Sequence, residues 1–156
     1  MKKVLLTMGL PGAGKSRVLK TKYLGFVNSA VLIDPDEIKK EKADYNPKAP
    51  HVYHEWSKAE ARKRMYQAIA NDQDIVIDGT GTNAEKMIKW IRDFQASGYE
   101  VEVVYVKVSV RTAIERNANR ERVVPEYLIR EKAETISVSF ELISQVADVV
   151  KVVNND

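Results

Sequence analysis

Gly9-Leu10-Pro11-Gly12-Ala13-Gly14-Lys15-Ser16 is a complete G-x-x-x-x-G-K-[ST] pattern, and its flanks suit it. Val4-Leu5-Leu6-Thr7-Met8 before it is an apolar run of strand character, and Arg17-Val18-Leu19-Lys20 after it is compatible with a helix. Strand, glycine-rich loop and helix in that order make a phosphate-binding loop. The glycines let the main chain curl so that successive N–H groups point inward at phosphate oxygens. The start of the following helix adds the positive end of its dipole. Gly9, Pro11, Gly12, Ala13 and Gly14 shape this cradle, Lys15 can reach the β- and γ-phosphates, and the Ser16 hydroxyl can ligate Mg²⁺. The octet predicts a nucleoside triphosphate site, with ATP as the expected nucleotide.

The rest of the chain supports an α/β reading. Strand candidates at 3–8, 30–33, 74–78, 101–107 and 148–153 are rich in Val, Ile and Leu, as strands buried on both faces of a parallel sheet should be. Helix candidates at 15–24, 36–42, 55–71, 84–97, 109–119 and 125–146 alternate with them. Ser57 with Glu60, and Thr82 with Glu85, have capping-box spacing, and Pro125 suits a first helical turn. The alternation predicts a three-layer α/β/α domain with a mostly parallel five-stranded sheet. No repeat or Pro/Gly/Ser linker divides the 156 residues, so one domain over 1–156 is expected. Hydrophobic residues make up 44% of the chain, enough for a single core. The absence of cysteine excludes disulfides and thiolate metal sites, and two histidines are too few for a histidine-built metal centre. No apolar stretch reaches the length of a membrane span, and Met1-Lys2-Lys3 leads straight into a strand rather than a leader. The cytoplasm is therefore the expected compartment. A net charge of +3 is compatible with an anionic substrate and does not by itself predict nucleic-acid binding.

In open α/β sheets ligands lie beyond the carboxyl ends of the strands, and the polar residues of this chain gather there. Asp34-Pro35-Asp36-Glu37 follows the second strand, where a carboxylate could activate a hydroxyl or help organise Mg²⁺. The same residues also suit a helix start, with the acids complementing its dipole. Asp78-Gly79-Thr80-Gly81-Thr82 follows the third strand, and its carboxylate can act on Mg²⁺ directly or through water. After the fourth strand, Arg116 and Arg120 are spaced to project from one helix face, with Arg122 just beyond. Such arginines can neutralise charge on a transferring phosphoryl group, or simply form a solvated face. Residues 43–56, with Tyr45, Pro47, Pro50, His51, Tyr53, His54 and Trp56, suit a surface loop shaped for a ligand. Trp90, Tyr99 and Tyr105 fall at core or half-buried positions.

These pieces, in this order, resemble the small phosphate-loop kinases that include the phage-type polynucleotide 5′-kinases and the zeta-toxin group. The opening from Met1 to Ser16 looks much like the start of the polynucleotide kinases. The resemblance implies that Asp36, within Ile33-Asp34-Pro35-Asp36-Glu37-Ile38-Lys39, is the general base on the acceptor hydroxyl. It implies that Lys39 binds acceptor phosphate, although an arginine is usual there. Arg116-Asn117-Ala118-Asn119-Arg120 with Val124-Pro125 looks like an arginine lid, giving a helical lid at about 116–130. By that match Arg120 is the transition-state arginine, with Arg116 and Arg122 assisting at the nucleotide.

Asp34-Pro35-Asp36-Glu37-Ile38, the Pro50–Ser57 stretch and the Asp78-Gly79-Thr80-Gly81 turn are similar to the zeta-toxin group, which phosphorylates UDP-activated amino sugars. That match puts Asp78 and Thr80 on the acceptor side. The chain is shorter than typical members, and the C-terminal part of their sugar site has no visible equivalent. The resemblance thus implies a kinase using ATP and Mg²⁺ on a hydroxyl-bearing anionic acceptor. The 5′-hydroxyl of a nucleic acid or nucleotide is its first reading and a UDP-amino sugar its second. A phosphate-loop ATPase or nucleotide switch without acceptor is a third reading, and an antitoxin-like protein partner is left open.

Overall fold

Alternation along the strand Lys3–Met8 (β1) divides the core in two. Val4, Leu6 and Met8 join the larger apolar cluster, while Leu5 joins a smaller one on the opposite face. The computed structural model describes residues 2–49, 51–121 and 123–156. The sheet is completed by Val31–Ile33 (β2), Ile75–Ile77 (β3), Glu100–Lys107 (β4) and Val149–Asn154 (β5). Their order is β2-β3-β1-β4-β5, and every pairing is parallel. The expected three-layer build is therefore present, and its sheet is parallel throughout.

Helices Lys15–Lys22 (α1) and Leu24–Ser29 (α2) cover the smaller cluster through Val18, Leu19, Phe26 and Val27. The larger cluster lies beneath Pro35–Lys39 (α3), His54–Ala70 (α4), Ala84–Ala96 (α5), Val110–Ala118 (α6) and Glu126–Ser144 (α7). Phe94 and Ile91 of α5 and Ile129 and Ile143 of α7 are fully buried there. Tyr99 and Tyr105 are buried, and Trp90 is partly so, as their positions predict.

The differences from the expected elements have local causes. The helix expected over 15–24 breaks at Tyr23, whose φ of −128° ends α1 and opens α2. Its hydroxyl donates to Glu102 Oε2 at 3.1 Å. The cap of α5 is Asn83, whose side chain accepts from Lys86 N at 3.1 Å, and not Thr82. Helix α4 starts at His54, so Ser57 lies inside it and donates to His54 O at 2.9 Å instead of capping.

Glu102 is 2% exposed and is held by Lys3 Nζ at 2.7 Å, Tyr23 and, at 3.6 Å, Lys151 Nζ. A buried carboxylate needs such partners to remain charged. Desolvation and the adjacent Glu102 push the Tyr23 hydroxyl up to about 12. A group whose folded value is raised stabilises the fold fully below its ordinary value, and that contribution is lost as pH climbs through the raised one. The Tyr23 contribution is therefore expected to disappear between pH 10 and about 12. Tyr23→Phe should flatten the alkaline fall in urea-unfolding stability across that window; an unchanged slope would refute the link.

Candidate active site

Parallel pairing brings the carboxyl ends of β1, β2, β3 and β4 to one edge. A cleft of about 470 Å³ opens there, lined by Pro11, Gly12, Gly14, Lys15, Ser16, Asp34, Asp36, Asp78, Thr80, Arg116 and Arg120 among others. Predicted groups from four separate segments thus meet in one place. Arg122 lies outside the described residues. Gly9 and Ala13 belong to the same loop, with Gly9 N–H donating to Thr80 O at 3.0 Å.

The loop is shaped by contacts that exclude side chains. Gly12 has a φ of +87°, and a Cβ there would stand 2.4 Å from Ala113 O of α6. Gly14, at φ +93°, is the residue before α1 and supplies no side-chain cap. The first N–H groups of α1 are therefore left for an external acceptor. Lys15 Nζ donates to Gly9 O at 2.9 Å and to Leu10 O at 3.2 Å, so its ammonium lies over the loop.

Asp78 is 8% exposed. Its Oδ1 accepts from Thr7 Oγ1 at 2.7 Å, and Thr7 Oγ1 accepts from Gly79 N at 3.0 Å. Ser16 Oγ lies 3.5 Å from Asp78 Oδ2. A hydroxyl and a carboxylate side by side suit Mg²⁺, which takes oxygen donors and keeps water and phosphate ligands. Among the described residues no group of three or more His, Cys, Asp or Glu side chains builds a protein-only cage.

On the opposite wall, Asp34 caps α3 by accepting from Asp36 N at 3.0 Å and Glu37 N at 3.4 Å. Pro35 occupies the first turn, so the helix-start reading of this segment holds. Asp36 is left facing the cleft with its side chain 44% exposed. Lys39 departs from its expected place: it is 3% exposed, is not a cleft-lining residue, and holds Asp36 Oδ1 at 3.4 Å. More cations crowd this side. Burial holds the Lys132 ammonium below its usual range; Asp36 and Glu131 oppose that, and Lys58 and Lys39 add to it. His54 is lowered by partial desolvation first and then by Lys39 and Lys58.

The arginine segment is tied down at both ends. Asn117, buried, donates from Nδ2 to Val124 O at 2.7 Å and accepts at Oδ1 from Val124 N at 3.0 Å. Arg120 lies beyond α6, which ends at Ala118, so it does not share a helix face with Arg116 as their spacing predicts. Val123 N–H donates to Pro47 O at 3.1 Å, joining this segment to the residues around Pro47. Nearby, the Tyr53 hydroxyl donates to Asp44, and Lys42 Nζ lies 4.3 Å over the Trp56 ring. Arg116 is not free over the cleft: it donates to Ala13 O at 3.3 Å and Asn155 O at 2.6 Å. Sequence reading missed Thr7, Asn117 and Asn155, because each acts through a partner distant in sequence or through main chain.

This geometry defines a phosphate-loop nucleotide-binding domain. The family described as zeta toxin matches residues 1–156, and the chain belongs to that family, whose members are phosphate-loop phosphotransferases. Among solved structures, the PezAT chromosomal toxin–antitoxin system of Streptococcus pneumoniae is similar with a TM-score of 0.79 at 15% identity, over 97% of this chain and 68% of that one. The AvrRxo1-ORF1:-ORF2 structure with ATP gives a TM-score of 0.69 at 15% identity, over 92% of this chain and 47% of that one. The Pnkp1/Rnl/Hen1 RNA repair complex gives 0.68 at 15% identity, over 90% of this chain and 45% of that one. The chain thus spans less than half the length of the last two. At these identities the likeness speaks for the fold. No curated protein sequence matches the chain. Among the described residues no helix is long and apolar enough to cross a membrane.

Removing the Thr7 hydroxyl should leave a buried carboxylate and a main-chain N–H short of a partner, at a cost of about 1–3 kcal/mol. Thr7→Val should lower urea-unfolding stability by that amount, and a double-mutant cycle with Asp78→Asn should show strong coupling. Additive losses would mean the two groups do not depend on each other.

Proposed function

We propose that the chain is an ATP-dependent kinase that transfers the γ-phosphoryl group to an alcohol on an anionic acceptor of the nucleotide-sugar class. It would work as one domain over residues 1–156, with 116–130 as its lid. The observation that carries this reading is the convergence of Lys15, Ser16, Asp36, Asp78 and Arg120 on one cleft. The loop amides and Lys15 hold the β- and γ-phosphates. Ser16 and Asp78 are the residues that would hold Mg²⁺, which when bound neutralises charge on the phosphate oxygens. An Asp36 carboxylate oxygen takes the proton of the acceptor hydroxyl as that oxygen bonds to the γ-phosphorus. The bond from that phosphorus to the β,γ-bridging oxygen breaks, and ADP leaves. Arg120 offsets charge on the equatorial oxygens during transfer.

Two observations favour a nucleotide sugar over a nucleic acid 5′-hydroxyl as acceptor. The zeta toxin family matches the whole chain. Lys39, the residue expected to meet nucleic-acid phosphate, is buried beside Asp36. Lys39 and Lys58 both bear on Lys132 and on His54, so an anionic acceptor would meet positive charge on that side.

Incubation with radiolabelled ATP, offering UDP-N-acetylglucosamine or a 5′-hydroxyl oligonucleotide, tests the acceptor. Label on the sugar nucleotide is expected. Label on the oligonucleotide alone would transfer the assignment to a polynucleotide kinase, and hydrolysis without labelling would favour an acceptor-free ATPase. Lys15→Ala should abolish turnover. Asp36→Asn should lower it by about 10²–10⁴-fold with ATP affinity retained; loss of ATP affinity instead would make Asp36 a metal or nucleotide ligand.

A further inference from the structure

The end of β5 reaches back to the phosphate loop. Asn155 Nδ2 donates to Ala13 O at 2.8 Å, and Arg116 Nη1 approaches the same oxygen at 3.3 Å. Arg116 Nη2 in turn donates to Asn155 O at 2.6 Å, so the two side chains and the carbonyl form one cluster. Asn155 is fixed from its other side by its own N–H, which donates to Lys107 O at 2.9 Å. The next residue anchors the segment again, Asp156 Oδ1 accepting from Ser109 N at 2.8 Å. Space for this contact depends on glycine: a Cβ on Gly14 would lie 2.5 Å from Asn155 Nδ2.

A trans peptide unit is planar, and its C=O and N–H point in opposite directions. Whatever fixes the Ala13 carbonyl therefore also fixes the Gly14 N–H. Ala13 is fully buried, so its carbonyl needs protein partners, and the two donors supply them. With that oxygen turned toward Asn155 and Arg116, the Gly14 N–H faces away from them. It then joins the N–H groups at the start of α1, which no side chain caps.

We infer that Asn155 is a positioning residue of the phosphate cradle: with Arg116 it holds the Ala13 carbonyl outward and so presets the Gly14 N–H for a phosphate oxygen before nucleotide arrives. The inference rests on the reading of this cleft as a nucleoside triphosphate site. It also gives Arg116 a task that is separate from any contact with a transferring phosphoryl group.

Calorimetric titration of the full chain with Mg²⁺-ATP and Mg²⁺-ADP tests it, using the wild type, Asn155→Ala and Asp156→Ala. Asp156 anchors the same segment without touching Ala13, so its removal loosens the strap while keeping the clamp. Asn155→Ala should weaken ATP and ADP alike by about fivefold, the worth of one ordinary hydrogen bond, while kcat at saturating ATP stays near wild type. Asp156→Ala should bind both nucleotides as the wild type does. Unchanged affinity in Asn155→Ala would overturn the inference, as would an equal loss in Asp156→Ala. A wild type that binds neither nucleotide would instead overturn the nucleotide reading. If Asn155→Ala does not fold, Asn155→Leu, which removes the amide donor at similar volume and adds no charge, takes its place. The Gly14 amide resonance of the nucleotide-free protein reads the clamp directly. It should move in the Asn155 variant and hold still in Asp156→Ala, and the reverse pattern would refute the proposal.

Discussion

The hydrogen bond from Thr7 to Asp78 joins the carboxyl ends of β1 and β3, and the cleft takes its form from that junction. Parallel register pairs Leu6 with Ile77, which sets Thr7 beside Asp78 on the α1 face of the sheet. The same threonine oxygen accepts from Gly79 N, so one hydroxyl orients a carboxylate and begins the turn after the strand. Gly9 N–H then donates to Thr80 O, closing the two loops on each other. A charged group this buried is tolerable only with such partners, and each of them belongs to the scaffold. Ser16, in the first turn of α1 on that same face, comes within 3.5 Å of Asp78 Oδ2.

The cradle is prepared in a similar way. A row of inward N–H groups requires the matching carbonyls to be satisfied elsewhere. Lys15 takes Gly9 O and Leu10 O, while Asn155 and Arg116 take Ala13 O. The lysine thus bridges the loop with the cation that a triphosphate would attract. Binding would exchange two neutral acceptors for anionic ones, a change that favours the charged ligand at little cost in reorganisation.

What the sequence discloses and what it hides follow the range of the interactions. The phosphate loop, the strands and Asp36, Asp78 and Arg120 are legible because each is marked by neighbours: glycines before a lysine, an apolar run before an acid, arginines four residues apart, although α6 ends before the second of them. Thr7 gives no such signal, since an alternating strand residue next to Asp78 is visible only once β1 and β3 are paired. Asn155 is 142 residues from the carbonyl it holds. The break at Tyr23 escapes for the same reason: helix propensity runs on through it, and the Glu102 carboxylate that draws its hydroxyl lies on β4. Cap positions shift for a subtler cause. Thr82 and Asn83 are both good caps, and the main-chain path out of β3 decides between them. Lys39 has the expected spacing from Asp36, but Ile38 and Lys39 face inward on α3, and the lysine serves the carboxylate instead of the cleft.

The attachments of the arginine segment bear on how the cleft is built. Asn117 binds Val124 through both its donor and its acceptor, which ties the residue before Pro125 back to the last turn of α6. Val123 joins that segment to Pro47, and Pro47 belongs to the loop that leads into α4 and the cations around Asp36. That one main-chain hydrogen bond links the two sides of the cleft, the arginine side through Val123 and the Asp36 side through Pro47, so neither wall is built independently of the other.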